Sequence, residues 1–368
     1  MKVICQKDSL QKAINTVSRA VPVRTTMEIL KCILLQAEDQ SLKLTANDTA
    51  LGIETRIDAS VAEPGMVAID AGLFASIIRK LPDSDIVISS DENEAIDITC
   101  ENASFHLSGR GADDFIYLPT VEAKELVLIS QFTLREMIGQ VIFSVADSEV
   151  NAAMAGVYVE ILGGKIRMTT LDGHRISIRM NDLTEVYSPI SAIVPAKTLS
   201  DLSRILPGES DKMMSIEFAK NHMIFQYDQT RMVSRVIDGE YFKVESMIRD
   251  AHETHFRINK KDLLNCLDRS TLLVNESDKK PVVMNITAEE IAIRLKSAIG
   301  SMNEVIPIEK DGKDIRIAFN PKLLLDALRV IDDEEIDIYM VKYNYPCIIK
   351  DDAGSYIYVV LPVNFIED

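Results

Sequence analysis

Cysteine is scarce and poorly placed for bonding. The five thiols (Cys5, Cys32, Cys100, Cys266, Cys347) are odd in number, widely scattered and never spaced as C-x-x-C. That excludes a disulfide framework and a zinc site, and it reads as reduced core thiols in a cytosolic protein. Long apolar runs are missing too. Segments such as Tyr356–Val363 fall far short of a membrane span, and Met1-Lys2-Val3-Ile4 leads straight into an amphipathic segment with no signal peptide. Tryptophan does not occur. Gly163-Gly164-Lys165 lacks the upstream glycine and the following Ser or Thr that a phosphate-binding loop needs. Positive charge is the largest deficit, with a formal net charge of −17. Over the whole surface this argues against nucleic acid, because duplex affinity comes from Lys and Arg neutralising phosphates. Net charge describes the whole surface, however, and binding depends on the face presented. A hydrophobic content of 47% with 26% charged residues is ordinary for a globular chain and excludes disorder.

What is present is a repeat. Ala68-Ile69-Asp70, Ile193-Val194-Pro195 and Ala318-Phe319-Asn320 align at steps of 125 residues (Asp70, Pro195, Asn320). Apolar residues follow each at helical spacing: Leu73, Ile77, Ile78 and Leu81; Leu199, Leu202 and Leu206; Leu324, Leu325, Leu328 and Ile331. Leu81-Pro82 recurs as Leu206-Pro207. A second set, Leu10/Ile14/Val17, Leu134/Ile138/Val141 and Leu263/Leu267/Thr271, recurs in the same order at steps of about 124 and 129 residues. This period is far longer than the roughly 20–50 residues of a solenoid repeat. Each unit is long enough to hold its own core, so the chain reads as three similar domains in tandem.

Within the first unit, Val3-Ile4-Cys5 enters an amphipathic helix from about Ser9 to Ala20. Strand-like stretches follow at Ile29–Gln36, Ser41–Asn47, Gly52–Ser60 and Gly65–Ile69, then a second helix at Gly72–Leu81 stopped by Pro82. Asp85–Ser89, Ala95–Cys100 and Ala103–Ser108 close the unit. This order predicts an α+β fold with antiparallel sheets and helices on one face. The six helices lean to positive charge: Lys7, Lys12, Arg19, Arg79, Lys80, Arg135, Lys197, Arg204, Lys260, Lys261, Arg269, Lys322 and Arg329 stand against Asp8, Asp70, Glu136, Asp201, Asp262, Asp268 and Asp326. A basic helix face in an acidic chain suits a protein that holds duplex by sequence-independent phosphate contacts while its outer surface repels nucleic acid.

Asp172-Gly173-His174-Arg175 combines an acid, a base and a cation. One reading is a metal- or nucleotide-dependent enzyme with its site there, although no nucleophile is in view. The other is a hairpin turn between Ile166–Thr170 and Ile176–Arg179, for which Asp-Gly is a strong signal. The first domain has Asn47-Asp48-Thr49 at the equivalent place, so the aspartate belongs to the repeat and Gly-His-Arg marks the second domain as specialised. His252-Glu253-Thr254-His255 lies in a polar stretch, Arg249–His255, that looks like interdomain linker, and without a third ligand it gives no metal site. Ser104-Phe105-His106-Leu107-Ser108 alternates cleanly, as core packing or an edge strand that needs covering would.

The whole chain resembles the bacterial sliding clamp family, the β subunit of DNA polymerase III. The marks are Thr170-Leu171-Asp172-Gly173-His174-Arg175, Val236-Ile237-Asp238-Gly239-Glu240-Tyr241, Phe319-Asn320-Pro321 and the ending Tyr358-Val359-Val360-Leu361-Pro362-Val363. The resemblance implies clamp domains at 1–122, 123–248 and 249–368, and two chains joined head to tail into a ring whose helices face duplex DNA. It implies a non-enzymatic processivity factor, cytoplasmic, without cofactor or metal. Its partners would be the replicative polymerase, the clamp loader, and other polymerases and repair proteins carrying short clamp-binding motifs. The implied partner cleft comprises Met154, Leu171, Gly173, His174, Arg175, Ile176, Met247, Asn320, Leu323, Asn344, Pro346, Val359, Val360, Leu361, Pro362 and Val363. Val360 and Leu361 are expected to form its apolar floor, with His174 and Arg175 at the polar margin. Phe242 stands where the family usually has proline, Ser246 where arginine is common and Leu323 where an aromatic can occur, and Ile366-Glu367-Asp368 extends past the usual end. DNA-facing residues would be Arg24, Arg79, Lys80, Lys197, Arg204, Lys279 and Lys280, with Glu149 in place of a polar rim residue. Phe105 and Leu107 would meet Leu272 and Leu273 across the dimer interface.

Overall fold

The computed structural model describes residues 1–147, 151–209, 211–248, 252–274 and 280–365. Glu149, Lys279 and Ile366–Asp368 therefore lie outside the described residues. In each of three domains a strand runs into a helix, twice over. The first domain carries α1 (Lys7–Val17) and α2 (Ala71–Lys80), the second α3 (Gln131–Val141) and α4 (Ala196–Ile205), the third α5 (Lys260–Thr271) and α6 (Pro321–Leu328). The aligned positions Asp70, Pro195 and Asn320 each stand immediately before a second helix. Asp70 and Asn320 cap it, accepting from the backbone N–H of Leu73 at 2.8 Å and of Lys322 at 3.1 Å. Pro195 has no such side chain to offer.

The apolar stripe that spacing predicts for α1 is the buried one: Leu10, Ala13, Ile14 and Val17. The helix starts two residues before the expected Ser9, and its last turn, Ser18–Ala20, tightens to 3₁₀. Ser18 Oγ donates to the Ile14 carbonyl at 2.6 Å there, adding a second bond to an acceptor that also takes the Ser18 backbone N–H. The expected strand Gly52–Ser60 is in fact two. Leu51–Asp58 and Ser60–Glu63 flank Ala59 and belong to different sheets. All five cysteines are buried and unpaired. Burial, with Asp85 adding to it, pushes the Cys5 thiol up to about 12, so it stays protonated and unreactive at neutral pH.

Four antiparallel sheets carry these helices, and two of them cross domain boundaries. In the eight-stranded sheet, Leu51–Asp58 of the first domain pairs with Thr230–Arg235, the last strand of the second. In the nine-stranded sheet, Arg175–Asp182 of the second domain pairs with Tyr356–Val360, the last strand of the third. The middle domain is thereby shared. One compact unit holds Met1–Phe132 and Arg204–Val236, the other Thr133–Ser203 and Ile237–Asp368. The remaining sheets each have two edge strands, Ser60–Glu63 and Ala103–Ser108 in the five-stranded sheet and Gly300–Pro307 and Ile315–Phe319 in the four-stranded one.

Candidate functional site

The Asp172 turn is built by its own side chain. Asp172 Oδ1 accepts the backbone N–H of His174 at 2.9 Å and of Arg175 at 3.1 Å, and Gly173 supplies the positive φ of 87° that closes the hairpin. The first domain repeats this geometry. Asp48 Oδ1 accepts from Ala50 at 3.0 Å and Leu51 at 2.7 Å, and Thr49 takes φ 75° where glycine stands later. The carboxylate is a turn-former in both.

Arg175 does not line a polar margin. Its guanidinium points inward, bonding Asp172 Oδ2 at 2.8 Å, Asp326 Oδ2 on α6 at 2.7 Å and the Phe143 carbonyl at 2.6 Å, and it lies 5.2 Å from the centre of the Phe143 ring. Burial disfavours this charge, but hydrogen bonds to Asp326 and Asp172 outweigh it and hold its pKa above the ordinary arginine value. With Asp172 and Arg175 committed to each other and to the backbone, neither is placed as a general acid or base. His174 is exposed, and its carbonyl accepts from Leu361 N at 2.8 Å.

Val360 is also corrected. Strand alternation turns Val360 into the third-domain core, with 0% exposure, beside Tyr358 and Leu325. Val359 faces the other way and packs with Leu171, Ile176, Ile178, Val244 and Ile348, and with the half-buried Met154. Leu361, 41% exposed, is the apolar side chain that this ending offers to a ligand. A hollow of about 720 Å³ is lined by Leu361, Pro362, Val363, Asn344, Tyr343 and Arg316 among others. A second, of about 280 Å³, holds Met247, Asn344, Pro346, Tyr345, Tyr339 and His252. Asn344 lines both. Asn320 caps α6, and Leu323 packs against the third-domain core while its carbonyl accepts from Tyr358 at 2.7 Å.

Sequence reasoning missed Val244, Ile348, Tyr343 and Tyr345. The dense aromatic pattern Tyr343-Asn344-Tyr345-Pro346, with Tyr343 63% exposed, was the available signal. It also misread His255, which lies in the strand Thr254–Asn259 and not in a linker. Its Nε2 sits 2.7 Å from Asp337, and its ring stacks on Tyr339. Among the described residues, no group of three or more His, Cys, Asp or Glu side chains could hold a metal.

The basic residues of the helices divide into two classes. Lys7 and Lys260, counted with the charged faces, instead donate to the carbonyls of Leu81 and Ile331, just past the second helices of their own domains. Lys12 pairs with Asp8, Lys197 with Asp201 and Arg329 with Asp268, at 2.7, 2.9 and 3.1 Å, so part of their charge is neutralised. Arg79 and Lys80, in the last turn of α2, are exposed, as are Arg24, Arg204 and Lys280. Lys12, Arg19 and Arg204 line one hollow of about 920 Å³ with the hydroxyl groups of Ser9, Thr16 and Ser18.

At the free edges, Phe105 is 37% exposed on Ala103–Ser108, and Leu107 beside it is half-buried. Leu272, just past α5, is 77% exposed, whereas Leu273 packs against its own domain core. No helix among the described residues is long and apolar enough to cross a membrane.

Comparison with known proteins accounts for this arrangement. Family models of the DNA polymerase III beta subunit match its N-terminal domain at 1–119, its central domain at 128–243 and its C-terminal domain at 245–364. The Beta sliding clamp of Bacillus subtilis is 29% identical over 99% of both chains. A crystal structure described as a DNA polymerase III beta subunit, from Eubacterium rectale, superposes with a TM-score of 0.96 at 52% identity, covering 99% of this chain and 100% of that one. The Bacillus subtilis DNA polymerase sliding clamp superposes with a TM-score of 0.96 at 29% identity, covering 100% of both chains. The chain belongs to the DNA polymerase III beta subunit family, the sliding clamps that act as processivity factors of DNA synthesis.

Proposed function

We propose that two copies of this chain close head to tail into a ring around duplex DNA and tether polymerases through the cleft at Leu361. One observation carries the assembly. At each internal boundary, the strand after the Asp-type hairpin pairs with the last strand of the following domain: Leu51–Asp58 with Thr230–Arg235, and Arg175–Asp182 with Tyr356–Val360. The strand left over by this rule is Gly300–Pro307 of the third domain, and the unused last strand is Ala103–Ser108 of the first. An unpaired edge exposes backbone donors and acceptors, and a second copy satisfies both edges at once. Domain boundaries at 122 and 248 leave each domain one strand of each kind.

The rule also fixes the register. Met232 faces Ile53, and Ser177 faces Tyr358. Carried to the free edges, the same positions set Phe105 opposite Met302 of the second copy. Oxidising the double variant Phe105→Cys, Met302→Cys is expected to give covalently closed dimers on non-reducing gels, because directly opposite residues meet disulfide distances. Pairing Phe105→Cys with Gly300→Cys, out of register, is expected to cross-link at least about tenfold more slowly. Equal cross-linking of the two pairs contradicts the register.

The cleft reading rests on the convergence of Leu361, Val359 and the Asn344–Pro346 segment on the His174 turn. Adaptable apolar walls with a few fixed polar groups suit a short linear motif. A blocked peptide of glutamine followed by leucines is expected to bind once per chain at roughly micromolar affinity. Leu361→Asp is expected to weaken it by at least about tenfold, since a charge replaces an apolar anchor. Titration calorimetry that finds wild-type affinity in a folded Leu361→Asp protein removes Leu361 from the site. Contact with DNA rests on Arg24, Arg79, Lys80, Arg204 and Lys280, and carries no sequence information. The protein acts without catalysis, in the cytoplasm.

A further inference from the structure

The first domain boundary carries a counterpart of the peptide cleft, changed in chemistry. The backbone frame is the same: Arg235 N donates to the Ala50 carbonyl at 2.8 Å, as Leu361 N does to that of His174. A hollow of about 240 Å³ lies there, and its lining replaces the cleft residue by residue. Asn47 stands for Leu171, Thr49 for Gly173, Gly52 for Ile176, His222 for Pro346 and Arg235 for Leu361. The apolar part of this counterpart is already filled. Leu118 lies over Gly52, so close that a Cβ on Gly52 would sit 2.7 Å from Leu118 Cγ. What remains open is polar and positive. Arg235 is exposed, and its guanidinium makes no ion pair among the described residues. His222 lies beside it, its pKa held below the ordinary histidine value by burial and by Arg235, so it is available as a neutral hydrogen-bonding group. In a chain of net charge −17, a pocket whose charged group is a cation without a carboxylate partner favours an anionic group.

We propose that the hollow between the Asp48 turn and Arg235 is a second docking point, and that it takes an acidic linear peptide segment of a partner protein. A glutamate or aspartate side chain meets Arg235, and Ile116 and Tyr117 flank the remainder of the segment. The site is separate from the cleft, so it stands or falls independently of the peptide binding proposed there.

The test uses the full chain and a labelled hexapeptide of alternating glutamate and leucine, acetylated and amidated so that only side chains carry charge. The counterpart with serine in place of each glutamate serves as reference, because a glutamine–leucine peptide would also enter the proposed cleft. Fluorescence anisotropy at low salt is expected to show the glutamate peptide binding at least about tenfold more tightly, and Arg235→Gln is expected to abolish that difference. Lys2→Gln, which removes an exposed cation elsewhere, leaves it unchanged. Equal binding of the two peptides, an undiminished preference in Arg235→Gln, or equal loss in Lys2→Gln overturns the proposal.

Discussion

Replacing Phe105 and Leu272 together by aspartate is expected to yield folded monomers that no longer remain on circular DNA. Both side chains are exposed in the single chain, at 37% and 77%, so the domains lose little when they change. In the proposed ring they become buried, each at two interfaces related by the twofold axis. Removing a buried large apolar side chain costs about 2–5 kcal/mol in a packed site, and an introduced carboxylate adds its own desolvation. The dimer constant is therefore expected to weaken by several orders of magnitude, which analytical ultracentrifugation reads directly. Leu273 is a poorer probe, because it packs against its own core and its loss would weaken the fold as well. A dimer of wild-type affinity in the double aspartate variant moves the interface elsewhere.

Arg175→Ala is expected to have the largest effect on stability of any single change considered. The arginine side chain is 10% exposed and its partners Asp172 and Asp326 are 17% and 18% exposed, so its removal strands two largely buried carboxylates. Breaking a buried pair from one side costs about 3–5 kcal/mol. Arg175→Lys keeps the charge but not the planar fork, and is expected to fall between. Urea denaturation of the wild type and both variants checks the order. A loss below about 1 kcal/mol for the alanine variant shows that solvent has taken over the pairing. The unit Thr133–Ser203 with Ile237–Asp368 is the one expected to melt early.

Much of this was legible because the sequence states its plan three times. Helix positions and the Asp-type hairpins at Asp48 and Asp172 follow from local pattern, which needs no distant partner. What failed needed one. The phase of Tyr358-Val359-Val360 was not readable, because the strand is buried on both faces, at 0%, 2% and 0% exposure, and a continuous apolar run carries no alternation. Arg175 looked like a surface cation, but Asp326 lies 151 residues away. Lys7 and Lys260 passed for members of a charged face, since the carbonyls they close are 74 and 71 residues distant. The split of Leu51–Asp58 from Ser60–Glu63 came from two sheets claiming one run of chain.

The central claim is that this protein holds DNA by enclosing it. Phosphate contacts weaken steeply as salt rises, whereas a closed ring on a circle is held by linkage alone. The decisive measurement assembles the Phe105→Cys, Met302→Cys protein around nicked circular duplex and oxidises it. The complex is then washed at salt that abolishes direct binding to linear DNA. Enclosure predicts that the protein stays on the intact circle and leaves when the circle is cut once. Departure from intact circles as fast as from linear fragments would contradict it.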